Sequence, residues 1–291
     1  MSAVEDAGLP RWQIEEVVAR ALDEDLGAGG DVTTAATVPA NLIGSADLVP
    51  RVAGVVAGLP IAAAVFGVVS GGRVRIEFGT ADGAAVAPGE VLATARGPIR
   101  DLLTAERTSL NLLCHLSGIA TLTRRWVDAV DGTSAKIRDT RKTLPGLRAL
   151  EKYAVRCGGG LNHRMSLSDA VLVKDNHVAA AGGVSAAFEA VRAAHPELTI
   201  EVEVDTVTQA IEVIDAGAQL VLLDNMPPAQ MREVVAYARR RGGVELEASG
   251  GLTLERAREV AETGVDYLAV GALTHSAPAL DIGLDIEEAP R

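Results

Sequence analysis

Aromatic residues make up only 3% of the 291 positions, too few for the aromatic-rich contact surfaces of a β-sandwich recognition module. There are two cysteines, Cys114 and Cys157. Neither stands in a CxxC or Cys/His spacing, so both read as reduced, partly buried small hydrophobes rather than metal ligands or disulfide partners. Long hydrophobic runs are missing too. No stretch approaches the roughly 18 apolar residues of a membrane span, and the start of the chain shows no basic-then-apolar leader pattern. The expectation is therefore no membrane and a cytoplasmic location. Positive charge is the remaining deficit. A net charge of −12 argues against nucleic acid as a partner, because phosphate backbones are bound by basic faces.

Ala, Val, Leu and Gly are abundant, and hydrophobic residues make up 48% of the chain, enough to bury a sizeable core. This composition suits closely packed helices on parallel strands, an α/β class, with one large domain and one smaller. The charge is uneven along the chain. Between Lys136 and Lys174, nine Lys and Arg stand against three acids, Asp139, Glu151 and Asp169. A compact basic island in an acidic protein is either a solvated surface or a pocket for a small polyanion, since clefts of one sign concentrate ligands of the other.

The hydrophobic pattern changes twice. Over Arg11 to Leu26, Ile14, Val17, Val18, Ala21 and Leu22 fall on one helical face, and Gly27 ends the segment. From Asp31 to Arg100, short apolar runs broken by Gly and Pro, among them Val52–Ala57, Arg73–Phe78 and Glu90–Ala95, read as strands of a small α+β domain. A long helix is expected over Thr104 to Ala129, with Gly118 as the place where it could break. Beyond residue 134, six short apolar runs alternate with helix-like stretches: Ala135–Thr140, Ala170–Lys174, Thr199–Asp205, Gln219–Asp224, Val244–Ser249 and Tyr267–Gly271. That alternation predicts β/α units and a parallel sheet. Six strands rather than eight predict an incomplete barrel.

In such barrels the chemistry gathers at the carboxyl ends of the strands. The residues there are Arg138, Asp139, Arg141 and Lys142, then Lys174, Glu203 and Asp205, Asp224, Ser249-Gly250-Gly251, and Gly271-Ala272. Charges in or beside apolar strands are costly unless paired or neutralised by a ligand. The two glycine-rich strand ends precede helix starts, where bare N–H groups can hold a phosphate monoester or simply make tight turns. Glu203 and Asp224, on neighbouring strands, suit ribose hydroxyls or a Mg²⁺ ion. Asn162-His163-Arg164 follows Gly158-Gly159-Gly160 and, with Lys174, supplies cations for an anionic co-substrate.

Several of these stretches resemble quinolinate phosphoribosyltransferases. They include Glu106 to Asn111, Ser117 to Thr121, Asp139 to Arg148, Lys152 to Val155, Gly158 to Arg164, Lys174 to His177 and Glu201 to Asp205. The likeness begins early, with Glu24 to Gly27 and Gly30 to Thr34, and runs nearly end to end. It implies an N-terminal α/β sandwich over 1–115, joined by the tail 276–291, and a catalytic incomplete β/α barrel over 116–275. It also implies a homodimer with no organic cofactor. By the same resemblance Arg107, donated by the neighbouring subunit, Arg141, His163, Arg164 and Lys174 would bind quinolinate, a pyridine dicarboxylate. Lys142, Glu203 and Asp224 would surround phosphoribosyl pyrophosphate and Mg²⁺, with Ser249, Gly250, Gly251, Gly271 and Ala272 near phosphate. Met165, Ser166 and Ser168 stand where smaller residues or glycine are expected, which leaves that loop's shape open. The rival readings are a nicotinate phosphoribosyltransferase, a Schiff-base aldolase using Lys174, and a noncatalytic sugar-phosphate-binding protein.

Overall fold

The computed structural model describes residues 8–286, so the last five residues of the tail 276–291 lie outside the described residues. Two compact units emerge. The first gathers the chain up to Arg124, the segment Thr143–Gly159, and the chain from Leu273 onward; the second comprises Arg125–Lys142 and Gly160–Ala272.

In the first unit, the helix Arg11–Leu26 buries Ile14, Val18 and Leu22, one residue per turn on a single stripe. Strands β1 (Ile43–Pro50), β3 (Arg75–Phe78), β5 (Ala93–Pro98) and β12 (Ile282–Ile286) form an antiparallel sheet in the order β12-β1-β5-β3. Short strands β2 (Gly54–Val55) and β4 (Ala85–Val86) pair separately. Leu48 and Ala93 from the sheet, Leu59 and Ala62, Leu110 and Leu113, and Leu280 and Ile282 make one core cluster. Each such leucine contributes roughly 1.5–3 kcal/mol by leaving water.

Two elements of this unit differ from the sequence expectation. The run expected as a strand over Val52–Ala57 pairs only at Gly54 and Val55, and a helix, Leu59–Ser70, follows it. That helix is apolar nearly all round, so it carries no 3.6-residue contrast for a periodicity reading to detect. Its start is fixed from afar: the Asp82 carboxylate accepts hydrogen bonds from the Gly58 and Leu59 N–H groups at 2.8 and 3.0 Å. The long helix runs Ile99–Ala129 without breaking at Gly118. Glycine is there because the chain at Pro278 and Ala279 lies against the helix, and a Cβ would run into it.

The segment Thr143–Gly159, which by chain order falls within the barrel region, is tied into this first unit. Tyr153 donates its hydroxyl to Asp82 at 2.6 Å, and buried Glu151 bonds His115 at 2.9 Å and the Leu144 N–H at 3.1 Å.

The second unit is a six-stranded, all-parallel sheet in the order β6-β11-β10-β9-β8-β7. The strands are β6 (Lys136–Arg138), β7 (Val171–Val173), β8 (Ile200–Val204), β9 (Leu220–Asp224), β10 (Glu245–Ser249) and β11 (Tyr267–Ala269), each inside its expected window. Outside β6, Leu161 adds one parallel bridge to Arg138, and among the described residues the sheet goes no further on that side. The barrel is therefore incomplete, as expected. Helices including Val184–Ala194, Val207–Asp215 and Pro228–Arg241 alternate with the strands.

Candidate active site at the strand ends

Strand register decides which side chains share a face. Glu203 pairs with Leu222, Glu247 with both Leu222 and Tyr267, Ser249 with Asp224, and Ala269 with Arg138. Because paired residues point the same way and the pleat alternates, Arg138, Glu201, Glu203, Asp224, Glu247, Ser249 and Tyr267 all project from one face. Lys174, one residue beyond Val173, joins them. The opposite face carries Ile137, Val202, Val204, Val221, Leu223, Leu246 and Leu268, all buried. One face of the sheet is thus apolar, and the other carries the charged residues around Leu220 and Leu222.

The charged face has two levels. At the lower level, Arg138 donates to Glu247 at 2.7 Å and stacks over the Tyr267 ring with 4.3 Å to its centroid. His163 Nε2 lies 2.6 Å from Glu201 and 3.6 Å from Glu247. Both carboxylates are almost fully buried, and burial pushes Glu247 up to about 7, with the like charge of Glu201 adding to it. Burial also opposes the charge on Arg138, but Glu247 and Glu201 outweigh it and the net shift is upward.

At the upper level, Lys174 Nζ meets Glu203 at 2.6 Å. Asp224 accepts from the Asn225 side chain at 2.8 Å. Asn225 has φ +51°, and its N–H bonds the Ser249 carbonyl at 2.9 Å. Gly250, at φ +85°, passes so close to Asn225 that a Cβ would lie 2.8 Å from its backbone nitrogen. Only glycine tolerates both conditions.

Arg141 and Arg164 are drawn together. Burial lowers the Arg164 pKa, and the nearby Arg141 guanidinium lowers it further, against partial relief from Glu201 and Asp169. Arg164 is steadied by the Ala170 carbonyl at 3.0 Å. The loop around Met165, Ser166 and Ser168 closes on one residue: the Asp169 carboxylate accepts from the Met165 N–H, the Ser166 N–H and the Ser166 hydroxyl.

The second unit therefore holds Arg141, Lys142, His163, Arg164, Lys174, Glu203, Asp224, Ser249, Gly250, Gly251, Gly271 and Ala272. Lys142 is exposed, its N–H on the Thr140 hydroxyl at 2.9 Å. Gly271 and Ala272 follow β11, and Ala272 opens the short helix Ala272–His275. Arg107 alone of the expected set lies in the first unit, exposed on the long helix Ile99–Ala129.

The sequence reading passed over Glu201 and Glu247 as site residues, and it left Asp139 without a partner. The spacing of Glu201 with Glu203 and of Glu245 with Glu247 is the signal that was available: acids two apart on a strand share a face. Asp139, fully buried, accepts from the His163 N–H at 2.8 Å and the Asn162 side chain at 2.6 Å.

Two family models match this chain: the quinolinate phosphoribosyl transferase N-terminal domain over residues 31–117 and its C-terminal domain over residues 119–285. The chain belongs to the quinolinate phosphoribosyltransferase family. It is 56% identical over 273 residues to a carboxylating nicotinate-nucleotide pyrophosphorylase of Mycobacterium leprae, covering 93% of this chain and 96% of that protein. A probable enzyme of the same name from Bacillus subtilis is 41% identical, over 94% and 93% of the two chains. The solved nicotinate-nucleotide pyrophosphorylase of Ehrlichia chaffeensis superposes with a TM-score of 0.89 at 39% identity, covering 94% of this chain and 98% of that one. Human nicotinic acid phosphoribosyltransferase shares the fold, with a TM-score of 0.60 at 14% identity over 97% and 76% of the chains.

As a quinolinate phosphoribosyltransferase family member, the chain joins an α/β N-terminal domain to an incomplete parallel barrel. No helix among the described residues is long and apolar enough to cross a membrane. Among the described residues, two sets of donors bear on a metal. His163, Glu201 and Glu247 offer ligand atoms within 4.8 Å of one another, but Arg138 and the imidazole already engage these acids. Glu203 and Asp224 are engaged as well, by Lys174 and the Asn225 side chain, but they are less buried and stand at the strand ends, which suits Mg²⁺, an ion that takes one or two carboxylates and keeps waters and phosphate oxygens for the rest.

Proposed function

We propose that this chain transfers the phosphoribosyl group of phosphoribosyl pyrophosphate to the nitrogen of quinolinate, with release of pyrophosphate and carbon dioxide, giving nicotinate mononucleotide in de novo NAD synthesis. The observation that carries this reading is the pair of guanidiniums, Arg141 and Arg164: burial lowers the pKa of Arg164, and the neighbouring charge of Arg141 lowers it further. A dianion with two adjacent carboxylates relieves that cost, and the planar fork of arginine matches a carboxylate in two-point geometry. The family names carried by the relatives agree with such a substrate.

The pyridine nitrogen attacks the anomeric carbon as the bond to pyrophosphate breaks, through a state with oxocarbenium character. Glu203 and Asp224 face that developing positive charge or fix the ribose hydroxyls, and Lys142 takes charge growing on the pyrophosphate. Glu203 and Asp224 would hold Mg²⁺, which would supply further neutralisation of charge on phosphate oxygens. The turns at Ser249-Gly250-Gly251 and Gly271-Ala272 accept the 5-phosphate. Once the ring nitrogen is alkylated and cationic, the 2-carboxylate leaves as carbon dioxide. The electron pair left on C2 is stabilised by the adjacent nitrogen and takes a proton from water.

Lys174 sits between the two substrates. Its partner Glu203 is released to the ribose side when quinolinate carboxylate replaces it on the ammonium. The enzyme works as a homodimer in the cytoplasm, with Arg107 from the second subunit completing the quinolinate pocket.

Incubating the purified protein with quinolinate, phosphoribosyl pyrophosphate and Mg²⁺ tests the reading. Nicotinate mononucleotide and carbon dioxide should form in equal amounts. Turnover of nicotinate without carbon dioxide, or no turnover of either acid, would overturn it.

A further inference from the structure

We infer that Asp25 and Asp31 are positioning residues: through Thr108 and Thr104 they fix the stretch of helix from which Arg107 projects. The inference deepens the reading in which Arg107 completes the quinolinate pocket, and it rests on that reading.

Two stretches of the family resemblance, Glu24 to Gly27 and Gly30 to Thr34, belong to the first unit, and there they make one corner. The helix Arg11–Leu26 ends at Gly27, φ +51°, whose N–H returns to the Asp23 carbonyl at 3.2 Å. Gly30, φ +65°, turns the chain again. Asp31 then caps the next helix, Val32–Thr37, by accepting the Thr34 N–H at 2.9 Å. One carboxylate, Asp25, thus stands just before the turn and the other, Asp31, just after it.

Both reach the long helix Ile99–Ala129. Asp31 accepts the Thr104 hydroxyl at 3.0 Å, and Asp25 accepts the Thr108 hydroxyl at 3.1 Å. Threonine inside a helix commonly turns its hydroxyl back on its own backbone, whereas these two spend theirs on another segment. Farther along that segment, the Val38 and Ala35 carbonyls accept from the Arg100 guanidinium at 2.7 and 3.0 Å. Arg100, Thr104, Arg107 and Thr108 stand at i, i+4, i+7 and i+8, the spacing of a single helical stripe. The chain from Asp25 to Val38 therefore runs antiparallel along this stripe. Arg107, exposed, lies between the Thr104 and Thr108 anchors along the helix axis.

Polar contacts matter here because packing at the corner is open. A pocket of about 540 Å³ lies among residues that include Leu22, Leu26, Asp31, Val68, Arg100 and Thr104. Side chains that interdigitate at interior density leave no such space, so apolar contact alone does not hold the corner to the helix. Hydrogen bonds from Thr34, with another from Thr104, keep the Asp31 carboxyl below the usual range against the opposing effect of burial. A hydroxyl given to an ionised carboxylate makes a stronger bond than one given to a neutral acceptor. Arg107 carries its guanidinium at the end of a long side chain. A shift of about 1 Å in its backbone is enough to spoil a substrate contact.

Steady-state kinetics on the full-length protein test the inference. The double variant Thr104→Val, Thr108→Val removes both hydroxyls with little change in shape and should raise the quinolinate KM about fivefold or more, with the phosphoribosyl pyrophosphate KM changed less than about twofold. Thr104→Ser with Thr108→Ser keeps both donors and should stay within about twofold of the parent. Asp25→Ala, a change at an exposed position that leaves the core intact, should show the same selective rise, about threefold or more. Arg107→Ala should raise the quinolinate KM by itself, and adding the two valines to it should bring little further rise, since residues that act through one another are not additive.

Equal rises in both KM values, no rise in either the valine or the Asp25→Ala variant, no recovery with serine, or full additivity with Arg107→Ala would overturn the inference. An unchanged quinolinate KM in Arg107→Ala would remove both this inference and the place of Arg107 in the pocket. A selective rise in Arg107→Ala without one in the valine and Asp25→Ala variants would remove this inference alone.

Discussion

Removing the Arg164 guanidinium should weaken quinolinate binding selectively, and the structure bounds the size of the loss. Hydrogen bonds between charged groups contribute about 1.5–3 kcal/mol net, and a two-point arginine–carboxylate contact at a partly buried position falls in that range. Two terms trim it. Arg164 lies near Arg141, so its removal relieves a like-charge repulsion, and burial already disfavours its charge. Arg164→Ala should therefore fall at the lower end of that range, about 1.5–2 kcal/mol, roughly 10- to 30-fold in quinolinate affinity. Phosphoribosyl pyrophosphate, read as binding through Lys142, Glu203, Asp224 and the glycine turns, should lose less than about threefold. Arg164→Lys should fall between, keeping the charge and losing the fork. Titration calorimetry with each substrate separately provides the measurement. An equal loss for both substrates would refute the division of the site, and no loss for quinolinate would refute the role of the arginine pair.

Three further predictions rest on other parts of the molecule. Glu247 is pushed up to about 7 by burial and by Glu201, against the pull of His163 and Arg138. Its protonation therefore favours the folded state: the contribution is complete below the unfolded value near 4.5 and is lost as the pH rises through about 7. Glu247→Gln should remove that slope, at most about 1.4 kcal/mol per pH unit. Urea midpoints for both proteins between about pH 5 and 7 check this, and parallel curves would contradict it. Gly118→Ala gains about 1 kcal/mol of helix propensity but drives a Cβ to 2.9 Å from the Ala279 Cα, so the net effect should be a loss of roughly 1–3 kcal/mol. A raised melting temperature would show the contact is soft. Gly250→Ala puts a side chain at φ +85° against Asn225 and should cost roughly 1–3 kcal/mol. It should also raise the phosphoribosyl pyrophosphate KM more than that of quinolinate; the opposite order would move the phosphate site elsewhere.

The six parallel strands were legible because each is a short apolar run closing on a polar residue, and that pattern is local. The helix Arg11–Leu26 was legible for the same reason, its buried Ile14, Val18 and Leu22 recurring once per turn. The helix Leu59–Ser70 was not: with apolar residues on every side it has no period to read, and a carboxylate over twenty positions away, Asp82, fixes its start. The continuity of the long helix at Gly118 was equally hidden, since the reason for that glycine is the chain at Pro278 and Ala279.

The site divides the same way. By itself, the sequence determined which charged residues stand at strand ends, because a strand's end is marked by its own neighbours. Only the tertiary structure decided that Lys174 pairs with Glu203, that Arg141 crowds Arg164, and that Glu201 and Glu247 lie buried beneath them. Those are cross-strand and loop-to-strand relations, set by a parallel register between segments tens of residues apart. Register depends on how whole strands pack against one another, and no short window of sequence contains it.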